Sequence, residues 1–309
     1  MGHFFQSTLY FVPALIMTTM RKTYILKWNG HTLELGPRTC IMGILNVTPD
    51  SFSDGGKFFT TDAAVAHGEK LVQEGAGIID IGGESTRPFS APVPLEEQIQ
   101  RVVPVIKELS KRISVPISID TTDASVAEAA LGEGASIIND IGAMRLDHRM
   151  ADVAAEYGVP VILMHMKGSP ENMQIAPFYG SLLTEIKDFF LNVVTSAEAR
   201  GIKRSNIIID PGIGFGKTFE HNLQIVKYLD TFGEIDLPVL LGPSRKTFIK
   251  NILKDHFKDE LFLKHSMIDA GTQPVIAVSV LNGAHIVRVH DVAATSVTIK
   301  IVDEIINCR

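Results

Sequence analysis

Polar residues able to bind, polarise or neutralise a substrate recur along this chain of 309 residues, each at the close of a short apolar run. In order they are Asn46, then Glu84-Ser85-Thr86-Arg87, Asp120, Asn139, His165, Asp210, Ser244-Arg245-Lys246, Arg288 and His290. Asp120, Asn139 and Asp210 are hydrogen-bond acceptors, with the Asn also a donor. Lys246, Arg288 and His290 are donors and anion binders. A ligand with a donor-rich edge at one end and phosphate at the other would satisfy both groups. A buried carboxylate such as Asp210 needs a partner, and an amidine-like edge with two N–H donors is a suitable one.

Such residues converge only if the runs before them are strands of one sheet. The runs are Cys40–Val47, Ile78–Gly83, Pro116–Asp120, Ser136–Asp140, Val159–His165, Asn206–Asp210, Pro238–Gly242 and His285–His290. Continuous apolar, β-branched runs are what strands buried on both faces require, as in parallel sheets. Helix-length segments lie between them, among them Ala63–Glu74, Leu95–Leu109, Ser181–Arg200 with Gly201 as its C-cap, and Phe219–Phe232. This alternation predicts an α/β fold, a single (β/α)8 TIM barrel, whose chemistry sits at the C-terminal strand ends. A doubly wound open sheet is the alternative, but the Gly-rich dinucleotide fingerprint after the first strand is absent. Thr23–Leu26 and Thr32–Leu35, with Asn29-Gly30 between, predict a short N-terminal β-hairpin capping the bottom of the barrel.

Composition narrows the partners. Hydrophobic residues make up 45% of the chain, enough for one large core, and no linker or low-complexity segment divides it. A net charge of -6 and a pI of about 5.9 argue against nucleic acid, while leaving room for a locally basic pocket. Cys40 and Cys308 lack partners at disulfide or zinc spacing, which suits reduced thiols in a cytoplasm. The apolar Thr8–Met20 stretch has no Lys or Arg before it and no A-x-A-like site after it, and it is too short to span a bilayer. Residues 1–22 are therefore expected to be an extension, disordered or upstream of a true start near Met20, and 23–309 the barrel.

Individual features also have ordinary explanations. Asn46-Val47-Thr48 matches a glycosylation sequon, but the absence of a convincing signal removes its meaning. Ser53-Asp54-Gly55-Gly56 alone is a turn. Gly212–Thr218 imitates a phosphate-binding P-loop one residue too short, and reads better as a mobile Gly-rich loop able to close over substrate. His165 is expected to be a satisfied rim histidine rather than a catalyst.

The longer motifs carry a family resemblance. Ile44-Leu45-Asn46-Val47-Thr48-Pro49-Asp50-Ser51-Phe52-Ser53-Asp54-Gly55-Gly56 resembles the signature of dihydropteroate synthases, and Ile78-Ile79-Asp80-Ile81-Gly82-Gly83-Glu84-Ser85-Thr86-Arg87-Pro88 resembles the second motif. Asp210-Pro211-Gly212-Ile213-Gly214-Phe215-Gly216-Lys217-Thr218, with Asn222, is similar to the third. Met164-His165-Met166-Lys167-Gly168, Gly242-Pro243-Ser244-Arg245-Lys246 and Arg288-Val289-His290-Asp291-Val292 follow in the family's order, from about Ile41 to the C-terminus.

The resemblance implies condensation of 6-hydroxymethyl-7,8-dihydropterin diphosphate with 4-aminobenzoate, giving dihydropteroate and pyrophosphate, in a sulfonamide-target enzyme of folate biosynthesis. It implies that Asp120, Asn139 and Asp210 hold the pterin edge, with Lys246 on its carbonyl side. Arg288 would pack on the ring and bind diphosphate. His290, Asn46, Thr86 and Arg87 would complete the anion and metal site, with Asn46 as the protein ligand of Mg2+. Phe52, Asp54 and Lys217 would close the site against water, Phe215, Ser244 and Arg245 would contact substrate, and the helix starting near Thr247 would receive the 4-aminobenzoate carboxylate. It also implies a homodimer built on the last helices.

Two places depart from the family. Met267-Ile268-Asp269-Ala270 stands where a basic residue is expected before Gly271-Thr272, which should affect packing or dimer contacts more than chemistry. Lys167 is also unusual and could alter access of the second substrate. A pterin-binding methyltransferase barrel and a non-catalytic pterin-binding paralogue are the competing readings. Phe52, Asp54, Lys246 and Arg288 together speak against the first, and intact loop motifs against the second.

Overall fold

A computed structural model describes residues 21–48, 61–84, 93–169, 172–256 and 265–308. The expected β-hairpin is present. Strands β1 (Tyr24–Trp28) and β2 (His31–Leu35) pair antiparallel, with Trp28 opposite His31. Asn29 and Gly30 between them both have positive φ, 40° and 80°, as a two-residue hairpin turn matched to strand twist requires. Leu26, Trp28 and Leu35 are buried in the main core. The Tyr24 ring meets the edge of His285, just before the last strand, so the hairpin closes the lower end.

The remaining strands form one parallel eight-stranded sheet. They are β3 (Cys40–Asn46), β4 (Ile78–Gly82), β5 (Ile117–Asp120), β6 (Ile137–Asp140), β7 (Val161–Met164), β8 (Ile207–Asp210), β9 (Leu240–Leu241) and β10 (Ile286–Val289). The order is β8-β7-β6-β5-β4-β3-β10-β9. A parallel bridge from Ile209 to Val239 brings its two edges together, closing the barrel. All eight lie within the apolar runs.

The helices are positioned by local signals. They are α1 (Thr61–Gln73), α2 (Leu95–Leu109), α3 (Ala124–Gly132), α4 (Arg149–Tyr157), α5 (Leu182–Ala199), α6 (Phe219–Lys227), α7 (Thr247–His256), α8 (His265–Leu281) and α9 (Val292–Asn307). The Asp123 side chain accepts from the Ser125 and Val126 amides to start α3, and Asp291 accepts from Ala294 N to start α9. Thr218 and His221 form a reciprocal capping box on α6. Gly201, with φ 92°, follows α5 as the sequence predicts. The segment expected to be helical over Phe219–Phe232 divides: α6 stops at Lys227 and a 3-10 turn runs Leu229–Ile235. Asp230, Thr231 and Gly233 are poor helix formers there. Arg21, assigned by sequence to the extension, is tied into the barrel by its ion pair to Asp303 in α9. Residues 1–20 lie outside the described residues.

Register decides which residues face the barrel interior. Ile44 pairs with Asp80 and Asn46 with Gly82; Asp80 pairs with Ser118, Gly82 with Asp120, and Asp120 with Asn139. Met164 pairs with Asp210, and Arg288 with Met42. Partners in register share a face, and side chains alternate along each strand. Asn46, Asp80, Asp120, Asn139, Asp210 and Arg288 are thus brought to one interior, with side-chain-free Gly82 and Gly242 widening its mouth.

Candidate active site

A cavity of about 830 Å3 opens at the C-terminal end of the strands, with Asn46, Asp120, Phe215, Lys246, Arg288 and His290 among its lining residues. Arg288 crosses the barrel beneath it. Its Nε donates to Asp80 Oδ2 at 2.6 Å and its Nη2 to Asp120 Oδ2 at 2.5 Å. Asn139 Nδ2 also donates to Asp80 Oδ2, at 3.0 Å. The second oxygens of both carboxylates, Asp80 Oδ1 and Asp120 Oδ1, are buried without a hydrogen-bond partner among the described residues. Asp80 is fully buried.

The electrostatics follow from burial. Desolvation pushes Asp120 up to about 7, against the pull of Arg288 and with added repulsion from Asp80 and Asp140. Asp210 is pushed up to about 6 by burial, although Gly212 N donates to its Oδ1 at 2.7 Å. Burial brings Lys246 down to about 8, with Arg288 adding repulsion. Burial alone would lower Arg288, but Asp80 and Asp120 overcome it and hold the guanidinium charged. Once ionised, Asp120 offers a ligand N–H an oxygen that has no partner among the described residues.

Met173 and Phe215 give the cavity an apolar stretch, backed by the residues they pack on. Ile141, Met164, Met166 and Met173 form a small cluster with Phe215 packed on it, and Lys246 Nζ sits 4.0 Å from the centre of the Phe215 ring. A flat heterocycle with a donor edge fits this combination of apolar wall and acceptors. His290 Nδ1 is 2.9 Å from Ser244 Oγ, which also accepts from His290 N, so these two expected residues act as one unit. Helix α7 starts at Thr247, as expected, beside the cavity.

Several expected residues are placed differently. The Arg245 guanidinium is not directed to a ligand; it makes two hydrogen bonds to Asp269, at 2.7 and 2.8 Å. Asp269 belongs to the departing segment, so that segment is tied to the loop carrying Lys246. Lys217 is buried, with its Nζ within 3.0 Å of His165 Nδ1, 3.2 Å of His165 O and 2.9 Å of Phe215 O. Three acceptors match the three protons of an ammonium, although burial drives its pKa well down. Burial, with the nearby Lys217 adding repulsion, pushes His165 down to about 2, leaving a neutral ring. The Gly-rich loop read as mobile is fastened instead. Gln174 donates to Gly214 O, Tyr179 Oη to Gly216 O, and Gly214 N to Asn222 Oδ1. Its Gly212, with φ 68°, lies so close to His165 O that an added Cβ would stand 2.0 Å away. Phe52, Asp54, Thr86 and Arg87 lie outside the described residues.

Sequence reading missed Asp80 and the methionine cluster. A charged residue inside the apolar run Ile78–Gly83 was the available signal for Asp80, because a carboxylate there must be paired.

The comparisons agree with this architecture. Residues 42–290 match the family model described as pterin binding enzyme. The dihydropteroate synthase of Synechocystis sp. is 44% identical over 275 residues, 89% of this chain and 93% of that one. The structure of Xanthomonas albilineans dihydropteroate synthase with 4-aminobenzoic acid has a TM-score of 0.85 at 40% identity, covering 93% of this chain and 100% of that one. The same organism's enzyme in complex with 7,8-dihydropteroate has a TM-score of 0.80 at 38% identity, covering 92% and 100%. The chain belongs to the dihydropteroate synthase family of pterin-binding enzymes.

Proposed function

We infer that this chain condenses 6-hydroxymethyl-7,8-dihydropterin diphosphate with 4-aminobenzoate to give 7,8-dihydropteroate and pyrophosphate, a transferase step of folate biosynthesis. The observation that carries the reading is the pairing at the barrel mouth of acceptor carboxylates, Asp120 and Asp210, with the cations Lys246 and Arg288. The ligands of the Xanthomonas structures, 4-aminobenzoic acid and 7,8-dihydropteroate, support both halves of the reaction.

In this reading Asp120, Asn139 and Asp210 accept from the pterin's amidine-like edge, and Lys246 donates to its carbonyl side. The pterin lies against Phe215 and the methionine cluster. Arg288 and the Ser244–His290 unit face the diphosphate, with Thr86 and Arg87 adding donors. As the carbon–oxygen bond to diphosphate breaks, the electron-rich pterin shares positive charge on the methylene, and the cations offset charge building on the leaving group. The aniline nitrogen forms the new bond as the bond to diphosphate breaks, and its proton passes to the departing pyrophosphate. No nucleophilic side chain is needed. Phe52 and Asp54 exclude water from the cationic methylene, while Lys217 holds the Gly-rich loop from behind. The N-terminus of α7 at Thr247 receives the 4-aminobenzoate carboxylate.

The residues present also fit Mg2+. Asn46 faces the interior at the rim, and among the described residues nothing hydrogen-bonds its carboxamide. No group of three His, Cys, Asp or Glu among them could hold a metal alone. One protein oxygen with the remainder from phosphate and water is how Mg2+ commonly binds beside diphosphates. When bound it would neutralise the diphosphate charge.

A homodimer and a cytoplasmic setting complete the reading. Val297, Ile301 and Ile305 form an exposed apolar stripe at four-residue steps along α9, and Val278 and Leu281 are exposed on the neighbouring α8. Such a stripe suits a self-complementary contact. Cys40 and Cys308 are both free thiols. Among the described residues no helix is long and apolar enough to cross a membrane.

The test is product analysis with pterin diphosphate, 4-aminobenzoate and Mg2+. Dihydropteroate and pyrophosphate should both form, and both should be lost with EDTA. Pterin binding without product would sink the reading and favour a non-catalytic paralogue; a cobalamin requirement would favour a methyltransferase.

A further inference from the structure

We propose that Asp80 is the positioning residue that anchors Arg288 during ligand binding, so that Asp120 can be given up to the pterin while the guanidinium stays in place for the diphosphate. The inference rests on the function proposed above and adds a residue to it.

Arg288 is shared between two carboxylates on different strands. Asp80, from the middle of β4, takes its Nε, and Asp120, from the end of β5, takes one Nη. The two acids are not equivalent. Asp80 lies one step deeper, fully buried, and is not a lining residue of the cavity; Asp120 lines it. A ligand arriving from the mouth reaches Asp120 first, and its N–H donors compete with Arg288 for that carboxylate. Without a second anchor, a guanidinium can close its fork on Asp120 in the bidentate geometry that such pairs favour. That would cover the acceptor the pterin edge needs. Asp80 prevents it by holding the Nε side, and Asn139, bonded to the same Oδ2, is fixed by the same atom. The acid thus holds at once Arg288, which lines the cavity, and the buried Asn139, without touching ligand itself.

The experiment compares wild type, Asp80→Asn, Arg288→Gln and the double variant, by kcat and KM for pterin diphosphate. Asp80→Asn keeps the shape and one acceptor but removes the charge. We expect kcat/KM to fall about 100-fold, the size of loss that misplacement by about 1 Å produces. The double variant should be no worse than Arg288→Gln alone, because both changes act through one group. The acid limb of pterin binding should also move to lower pH. Asp120 is faced by Asp80 from β4, Arg288 from β10, Asp140 from β6 and Lys246 from the loop before α7, and removing one of the two negative neighbours eases its ionisation. Full activity in a folded Asp80→Asn, or losses that multiply in the double variant, would overturn the proposal. Should Asp80→Asn not fold, the wild-type protein decides by NMR. The Arg288 Nε proton should stay protected from exchange after pterin diphosphate is added, and loss of protection on binding would overturn the anchor. Failure of the functional reading is distinct: wild type would then make no dihydropteroate.

Discussion

The two ends of the barrel each bury an arginine, and they treat it in opposite ways. At the lower end Arg21 meets Asp303, and both carboxylate oxygens are used. Oδ1 accepts from Arg21 Nη2 and Thr39 Oγ1, and Oδ2 from Thr39 N. At the upper end one guanidinium is set against two carboxylates, and Asp120, the one that lines the cavity, keeps an oxygen without a partner among the described residues. A carboxylate with both oxygens bonded stabilises, even though Arg21 Nε stays buried without a partner among the described residues, whereas unpartnered buried acceptors cost free energy until something donates to them. The lower end is therefore built for the folded state alone, and the upper end for the folded state with ligand. This matches the division of (β/α)8 barrels into a stability face and a chemistry face.

The comparison breaks most visibly if the wrong end is tuned for stability. Asp303→Ala should destabilise the fold by about 3–5 kcal/mol, because it leaves the buried Arg21 without its counter-charge. Urea unfolding would measure this, and the folded fraction should keep its kcat/KM; lost turnover at unchanged stability would erase the distinction. Asp120→Asn should behave in the reverse sense. Pterin affinity should fall about 100-fold, in line with removal of one well-aimed charged acceptor, while stability at pH 8 should not drop. Calorimetry and unfolding on one preparation would separate the two outcomes.

Why the upper end could be read from sequence only in part follows from the same contrast. The strands announce themselves locally, since Ile137-Ile138 and Ile207-Ile208-Ile209 are apolar and β-branched whatever surrounds them. Rim residues at strand ends, such as Asn139 and Asp210, follow from those strands. Who pairs with whom across the barrel does not. Arg288 meets Asp80 208 positions earlier in the chain, because closure and strand register place β10 near β4. Arg245, a cation in a site motif, reads as a ligand contact until α8 brings Asp269 beside it. The Gly-rich loop misled for a related reason: its glycines answer to the close approach of His165 O, which only the folded chain supplies. The break after Lys227, by contrast, was written locally in Asp230, Thr231 and Gly233.

A pH titration sharpens the comparison with a smaller effect. Asp120 and Asp210 have folded values raised to about 7 and about 6, above the ordinary 3.8. As pH falls through this window they take up protons and lose the charge that the pterin edge requires. Affinity should drop roughly ten-fold per unit below the window for each carboxylate that must be ionised. Stability runs the other way. A raised folded pKa contributes stability that is fully present below 3.8 and lost as pH rises through 6 to 7. Measuring the difference between wild type and Asp120→Asn isolates this from His165 and His285, whose lowered values act in the opposite direction. An affinity that is flat from pH 5 to 8 would mean that these carboxylates do not meet the ligand as anions.

The smallest effect is expected where the upper end is held by exposed groups. Lys167 Nζ bonds to Phe178 O, pairs with Glu185 at 3.1 Å and lies 4.1 Å from the centre of the Tyr179 ring. Glu185 in turn accepts from the Gly180 and Ser181 amides. Together they brace the 172–180 loop, which brings Met173 and Gln174 to the cavity. Lys167 and Glu185 are both over a third exposed, so water and salt screen them, and such a pair contributes about 0.2–1 kcal/mol. Lys167→Gln should therefore change the KM for 4-aminobenzoate by no more than about five-fold, the ratio that corresponds to about 1 kcal/mol, and leave pterin binding alone. The part-buried bond from Gln174 to Gly214 O and the buried one from Tyr179 to Gly216 O would still hold the loop. A hundred-fold rise in that KM would instead mean that this exposed brace sets access for the second substrate, and that the upper end relies on its surface as much as on its buried charges.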